Sequence, residues 1–94
     1  MDIHVTHDRI ARRFTSTIEG HTSAIDYALD GSVMTILHTN VPEALAGRGI
    51  AGALTREALA TARSEQWSVV AACSYASAFI EKHPEFQDLL AKGP

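Results

Sequence analysis

The polar and apolar positions of this 94-residue chain change their spacing near the middle of the sequence. Residues 12–19 alternate polar with β-branched or aromatic side chains, and residues 22–29 resume an extended pattern after Gly20-His21. Asp30-Gly31 then marks a two-residue turn, because such turns require positive φ. The pattern predicts an antiparallel hairpin followed by a third strand at 32–40.

The third predicted strand carries apolar side chains in both of its alternating sets. In an extended chain Val33 and Leu37 share one face, whereas Met34, Ile36 and His38 share the other. Apolar residues on both faces are typical of a strand that is covered from both sides. We therefore predict a central strand with His38 near its C-terminal end.

The spacing becomes helical after this strand. Ile50, Leu54 and Ala58 fall on one face of a helix predicted over about 49–64. The apolar run at 67–73 predicts a buried strand, so the third strand, the helix and this run form a right-handed β-α-β unit with parallel strands.

Two short helices are predicted to close the chain. One begins at Ser74 or Ser77 and runs through Lys82, and the other runs from Pro84 through Leu90. The predicted fold class is α+β, a mixed α/β arrangement. Antiparallel N-terminal strands lead into a β-α-β unit and C-terminal helices, all within a single domain over residues 1–94.

Composition and charge exclude several classes of protein. Eleven acidic and eight basic residues give a net charge of −3, which argues against nucleic-acid binding. The longest apolar run, Val69–Cys73, is too short for a membrane span. Cys73 is the single cysteine, and His4 and His7, the nearest histidine pair, are predicted to be solvent-exposed rather than metal ligands. We expect a cytoplasmic protein without a metal, nucleic-acid partner or membrane.

The segment between the third strand and the main helix contains Gly47, Gly49 and Gly52. A glycine-rich loop at a helix N-terminus can turn its backbone amides toward one anion, and Arg48 adds a fork of donors for phosphate oxygens. The spacing matches no Walker-type phosphate loop, and no first strand of a dinucleotide fold precedes it. The loop by itself leaves open an anion site or a ligand-free turn.

Four short motifs follow one another over most of residues 33–90. With the loop and helix, they resemble the GNAT superfamily of N-acetyltransferases, especially its very short single-domain members. The acyl-CoA-binding signature of that superfamily is Arg/Gln-x-x-Gly-x-Gly/Ala, and its first position is Ala46 here, while Gly49 and Ala51 match. The motifs are His38-Thr39-Asn40-Val41-Pro42, Gly47-Arg48-Gly49-Ile50, Cys73-Ser74-Tyr75 and His83-Pro84-Glu85-Phe86.

This resemblance implies that acetyl-CoA is the cosubstrate and that its diphosphate is held by loop amides. Ala46 lacks the side chain of the signature but keeps its backbone amide. Val41 is expected to line the pantetheine arm. The predicted cofactor-binding residues are Val41, Ala46, Gly47, Arg48, Gly49, Ile50, Ala51 and Gly52.

Three residues are candidates for catalysis. Cys73 precedes a predicted helix, where a thiol pKa falls, so it is either a nucleophile for a covalent acetyl-enzyme or a small buried hydrophobe. His38 is a base or acceptor-orienting group, or else a packed strand histidine. Tyr75 is expected to protonate the departing thiolate, as tyrosines do in relatives. His83 is interpreted as a helix-junction residue or a substrate contact.

The predicted function is transfer of an acetyl group to a primary amine of a protein lysine or small molecule, by direct attack or through Cys73. The alternatives are a CoA-binding module without catalysis and a small interaction domain. Larger relatives carry a helical pair that covers the acceptor side, and Gly20-His21 leaves no room for one. The acceptor groove is therefore expected to be open or completed by another subunit, in a monomer or weak homodimer.

Overall fold

The structure is a computed structural model that describes residues 3–91. Its five strands form one sheet in which the spatial order of the strands is their order along the chain. Two α-helices and two short 3₁₀ helices, Glu43–Leu45 and Pro84–Leu89, complete the fold. The strands and α-helices are β1 (Thr6–Asp8), β2 (Arg13–Ile18), β3 (His21–Asp30), β4 (Val33–Asn40), α1 (Ile50–Glu65), β5 (Ser68–Ala71) and α2 (Ser74–Lys82).

The topology follows the predicted order of elements. Strands β1 to β4 pair antiparallel, and β5 pairs parallel to β4 after the α1 crossover. This arrangement confirms the α+β class. Strand β1 was not predicted, because its three residues are too few to show alternation and it depends on pairing with β2. The predicted strand at 67–73 ends at Ala71, and the last predicted helix is 3₁₀ over Pro84–Leu89.

The hydrophobic core lies on one face of the sheet. Met34, Ile36 and Val69 are fully buried there in one cluster with the apolar face of α1, which includes Leu54 and Leu59. Strand β4 is interior to the sheet as predicted, with β3 and β5 on either side. Its second face is partly open to solvent. On the second face Leu37 and Val70 remain 39% and 40% exposed.

A β-bulge interrupts the pairing of β3 with β4. The register runs to Tyr27↔Ile36 and resumes at Asp26↔His38, so β4 contains one extra residue, Leu37. An extra residue inverts the alternation of the strand beyond it. His38 therefore lies on the face of Asp26, opposite that of Ile36, and the prediction that His38 shares a face with Met34 and Ile36 is wrong.

The pairing of β4 with β5 ends next to this bulge. Their ladder ends at the pair Ile36↔Ala71. In the last hydrogen bond between them, the Ala72 amide donates to the Ile36 carbonyl at 3.0 Å. Within residues 3–91, no β5 residue pairs with β4 beyond this point. The edge of β4 from Leu37 onward is thus free of a strand neighbour on the β5 side.

His7 belongs to an aromatic cluster at the other edge of the sheet, which corrects the expectation of a solvent-exposed histidine. Its ring stacks on Phe14 at a centroid distance of 4.1 Å. Its Nε2 forms a hydrogen bond of 2.6 Å with the Tyr27 hydroxyl. Burial, and after it the charge of Arg9, lower the pKa of His7. The cluster ties β1 to β2 and β3.

We predict that His7 makes the fold less stable in mild acid. Since its folded pKa is lowered, the unfolded chain binds the proton first, and the free energy of unfolding falls as the pH drops below the ordinary value of about 6.5. His7→Phe keeps the ring stack and removes this dependence. Urea unfolding of both proteins between about pH 7.5 and pH 5 measures it, and parallel pH profiles for the two would contradict the assignment.

Candidate functional site

The N-terminus of α1 presents backbone donors that no side chain caps. Gly49 is the N-cap residue, so no side-chain oxygen reaches the amides of the first turn, and that turn contains no acidic residue. The first amides of a helix have no intrahelical acceptor and carry the positive end of its dipole. This end of α1 is therefore suited to an anion.

Two glycines before α1 adopt backbone conformations that other residues avoid. Gly47 and Gly49 have φ of 81° and 78°, in the left-handed region. Arg48 lies between them, which makes a compact turn after the 3₁₀ helix. The loop is thus shaped by glycine at these two positions.

A cleft of about 340 Å³ opens on this loop. It contains seven of the eight residues predicted to bind the cofactor, together with the predicted catalytic Tyr75 and with Leu45, which sequence reasoning missed. We call it the loop cleft. Its lining residues are Val41, Leu45, Ala46, Gly47, Gly49, Ile50, Ala51, Gly52 and Tyr75.

Arg48 is the predicted cofactor-binding residue that does not line the loop cleft. Its guanidinium forms an ion pair with Glu19 in the β2–β3 turn. Both side chains are substantially exposed, and exposed pairs of this kind contribute little to stability. The contact links the loop to the tip of the hairpin and directs Arg48 away from the cleft.

Cys73 lies where β4 and β5 diverge and is the N-cap residue of α2. Its Sγ is 3.5 Å from Oγ1 of Thr39, across the gap. Partial burial acts to raise the pKa of this thiol, but the Thr39 hydroxyl and the amides of Ala76, Tyr75 and Thr39 outweigh it, so the pKa is lowered. These donors thus stabilise the thiolate form of Cys73 relative to a free thiol.

Thr39 is a site residue that sequence reasoning missed. Regular alternation along the strand predicts that Thr39 shares the face of Leu37, away from the core. The bulge instead opposes it to Ile25, on the core face of the sheet. From there both its hydroxyl and its amide reach Cys73.

The structure brings Tyr75 to the loop cleft and keeps His38 away from it. Tyr75 is in the first turn of α2, is 41% exposed, and has its hydroxyl against Gly52 of α1. His38 is exposed opposite Asp26, on the sheet face that bears Leu37 and Val70. Tyr75 and Cys73 therefore flank the gap, and His38 lies across the sheet from them.

Comparison with known proteins decides the family. A model of GCN5-related N-acetyl-transferases matches residues 13–89, from β2 to the end of the second 3₁₀ helix. The chain belongs to the GCN5-related N-acetyltransferase family. This confirms the resemblance drawn from the sequence motifs, and every element that forms the loop cleft lies within the matched range.

Relatives and a solved structure agree with this membership. The chain is 36% identical over 85 residues to protein NATD1 of Bos taurus, over 87% of this chain and 75% of that protein. Protein NATD1 of Homo sapiens is 35% identical over the same shares. An NMR structure of a GCN5-like protein from Staphylococcus aureus has a TM-score of 0.74 at 24% identity, covering 97% of this chain and 90% of that one. That likeness confirms the acetyltransferase fold.

We predict opposite effects of adding a methyl group at two glycines of this acetyltransferase loop. Gly49→Ala costs about 1–2 kcal/mol, because an L-residue is strained at its φ of 78°. Gly52→Ala stabilises by about 0.5–1 kcal/mol, since Gly52 is helical and its new Cβ would meet the Tyr75 hydroxyl at an ordinary 3.5 Å. Urea denaturation checks both signs, and equal effects would contradict the loop geometry.

We also predict that Thr39 controls the reactivity of Cys73. Thr39→Val removes the hydroxyl donor and leaves the burial, so the pKa of the thiol rises. The pH profile of Cys73 alkylation by iodoacetamide should move to higher pH. Thr35→Val, earlier on the same strand, is the matched control and leaves the profile unchanged; a shift in both variants would assign the effect to strand packing instead.

Proposed function

We propose that this chain is an acetyl-CoA-dependent N-acetyltransferase that acts on a primary amine. One observation carries the proposal: Tyr75, two residues after Cys73, lines the loop cleft together with the N-terminus of α1. Family membership supplies the reaction class. Tyr75, Cys73 and His38 supply the proposed chemical groups.

The binding half of the proposal rests on the backbone. The uncapped amides of Ile50, Ala51 and Gly52 hold the diphosphate of acetyl-CoA, with Gly47 and Gly49 giving the close approach. The pantetheine arm passes Val41 and enters the gap between the strands, where the free edge of β4 offers polar groups. Because backbone amides bind the diphosphate, the side chain that Ala46 lacks is not required for this contact.

Tyr75 completes the thioester side of the proposed site. Acetyl transfer breaks the C–S bond of the thioester, and the departing CoA thiolate needs a proton. The Tyr75 hydroxyl, at the end of the loop cleft, supplies that proton. Tyr75→Phe keeps the ring and removes the donor.

Cys73 defines two routes for the acetyl group. In the covalent route its thiolate attacks the thioester carbonyl, the acetyl group moves to Sγ and CoA leaves; the amine then attacks acetyl-Cys73, loses a proton and releases the thiolate. In the direct route the amine attacks the acetyl-CoA carbonyl, and Cys73 only packs beside it. The lowered pKa of Cys73 favours the covalent route.

The amine is proposed to approach from the open sheet face. Within residues 3–91, Leu37 and Val70 on that face remain well exposed, and His38 stands beside them. A neutral histidine there can accept the proton that an ammonium must lose before it attacks. The donor and acceptor then meet from opposite sides of the sheet.

Three variants test the function. We expect saturable CoA binding by titration calorimetry and turnover with a panel of amines and lysine peptides. Tyr75→Phe should keep the CoA affinity and lose about a hundredfold in kcat, as expected for a missing general acid. Incubation with acetyl-CoA alone should add one acetyl group by intact mass in the wild type and none in Cys73→Ser, with Cys73→Ala as the packing control.

The outcomes separate the alternatives. Full turnover by Cys73→Ser excludes the covalent route and leaves direct attack. CoA binding without transfer to any amine identifies a CoA-binding module. No heat with CoA, and no protection by CoA against thermal unfolding, removes the proposal altogether.

A further inference from the structure

One face of the sheet has no helix packed against it within residues 3–91. Both α-helices and both 3₁₀ helices bury their apolar side chains in the single core cluster on the other face, as Leu45, Leu54, Ile80 and Phe86 show. We call the side without helices the open face. It is the side from which the amine is proposed to approach.

An aliphatic strip lies on the open face where β4 pairs with β5. Val70 is opposite Thr35, and Val33 and Leu37 lie two residues before and after Thr35 on β4. The short side chain of Ala28 lies opposite Thr35 on the β3 side, so the strip has no high wall there. Sites for small molecules are concave and enclose their ligand, whereas a shallow apolar strip suits a chain laid across it.

Titratable groups stand at both ends of this strip. His38 is at one end, opposite Asp26, whose carboxylate is paired with Arg13 at 2.9 Å. Asp30 is at the other end, opposite Val33; it is exposed and has no ion pair with the described residues. Asp26 and Asp30 are four residues apart on β3, about 13 Å, and alternation places them on the same face. The end away from His38 therefore offers a carboxylate to a cation.

We propose that the acceptor is an extended protein segment that lies along β4 on the open face. Its lysine reaches His38, an aliphatic side chain contacts Leu37 and Val70, and a basic side chain faces Asp30. The inference rests on the proposed function and names its substrate class, a lysine within a cationic, partly aliphatic segment rather than a free small amine.

The spacing of these groups fixes the order of residues in the segment. Alternate side chains of an extended chain share a face, and four residues span about 13 Å, the separation of the two ends of the strip. The segment therefore reads Lys-x-aliphatic-x-basic in one of the two chain directions. Leu37, Val70 and Asp30 become specificity-determining residues for the acceptor.

The test measures acetyl transfer to capped peptides and to spermidine. The peptides are Gly-Lys-Gly-Leu-Gly-Arg-Gly, its reverse, and counterparts with Ser for Leu or Gln for Arg. In the favoured direction kcat/KM should be about tenfold higher with Leu than with Ser, because the leucine side chain leaves water. Arg should exceed Gln about twofold to threefold, as for an exposed ion pair. Spermidine should be slower than the Leu peptide.

Substitutions on the open face should remove these preferences through KM. Leu37→Thr and Val70→Thr should each lose most of the Leu-over-Ser factor, and Asp30→Asn should lose the Arg-over-Gln factor. Ile10→Thr is the matched control, because Ile10 is an aliphatic residue that is 97% exposed beyond β1, at the other edge of the sheet. It should keep both factors, and titration with CoA checks that each variant retains its cosubstrate site.

The outcomes distinguish this inference from the proposed function. Equal turnover of the Leu and Ser peptides by the wild type, faster turnover of spermidine, or the same loss in Ile10→Thr would overturn the assignment while the proposed function stands. Equal turnover of the Arg and Gln peptides would overturn the contact with Asp30. Transfer to no amine at all would overturn both the inference and the proposed function.

Discussion

The bulge at Leu37 is the constraint on which the proposed site depends. Its extra residue follows Ile36, whose pair with Ala71 is the last of the β4–β5 ladder, and beyond it β4 has no strand neighbour on the β5 side within residues 3–91. The bulge also exchanges the faces of the residues that follow, so that Thr39 turns toward Cys73 and His38 turns away. In the proposed function, this one irregularity places Cys73 with Thr39 on one side of the sheet and His38 on the other.

The N-terminus of α1 supplies the proposed anion site from its backbone alone. Its amides need no side chain to position them, because the helix and two left-handed glycines do so. In the proposed function, these amides bind the diphosphate without the Arg or Gln that the signature has at the position of Ala46. The ion pair of Arg48 with Glu19 is consistent with the same view, since this guanidinium serves the scaffold and the backbone faces the cleft.

The short α2 helix joins these parts. Its first turn presents Tyr75 to the loop cleft and amides to Cys73. Gly52 of α1 lies beside the Tyr75 hydroxyl and the Phe79 ring, with room for one methyl group between the two helices. This contact between α1 and α2 brings Tyr75 to the loop cleft, two residues after Cys73.

The sequence alone predicted the hairpin, the crossover helix and the parallel strand after it, because periodicity is a local property. The resemblance of its motifs indicated the family and most residues of the loop cleft. It did not reveal β1, whose pairing is entirely tertiary, or the stacking that buries His7. Nor did it reveal Thr39 as the neighbour of Cys73, or the placement of His38 across the sheet. Both follow from a single inserted residue in β4, and a bulge is decided by how neighbouring strands pair rather than by the alternation of one strand.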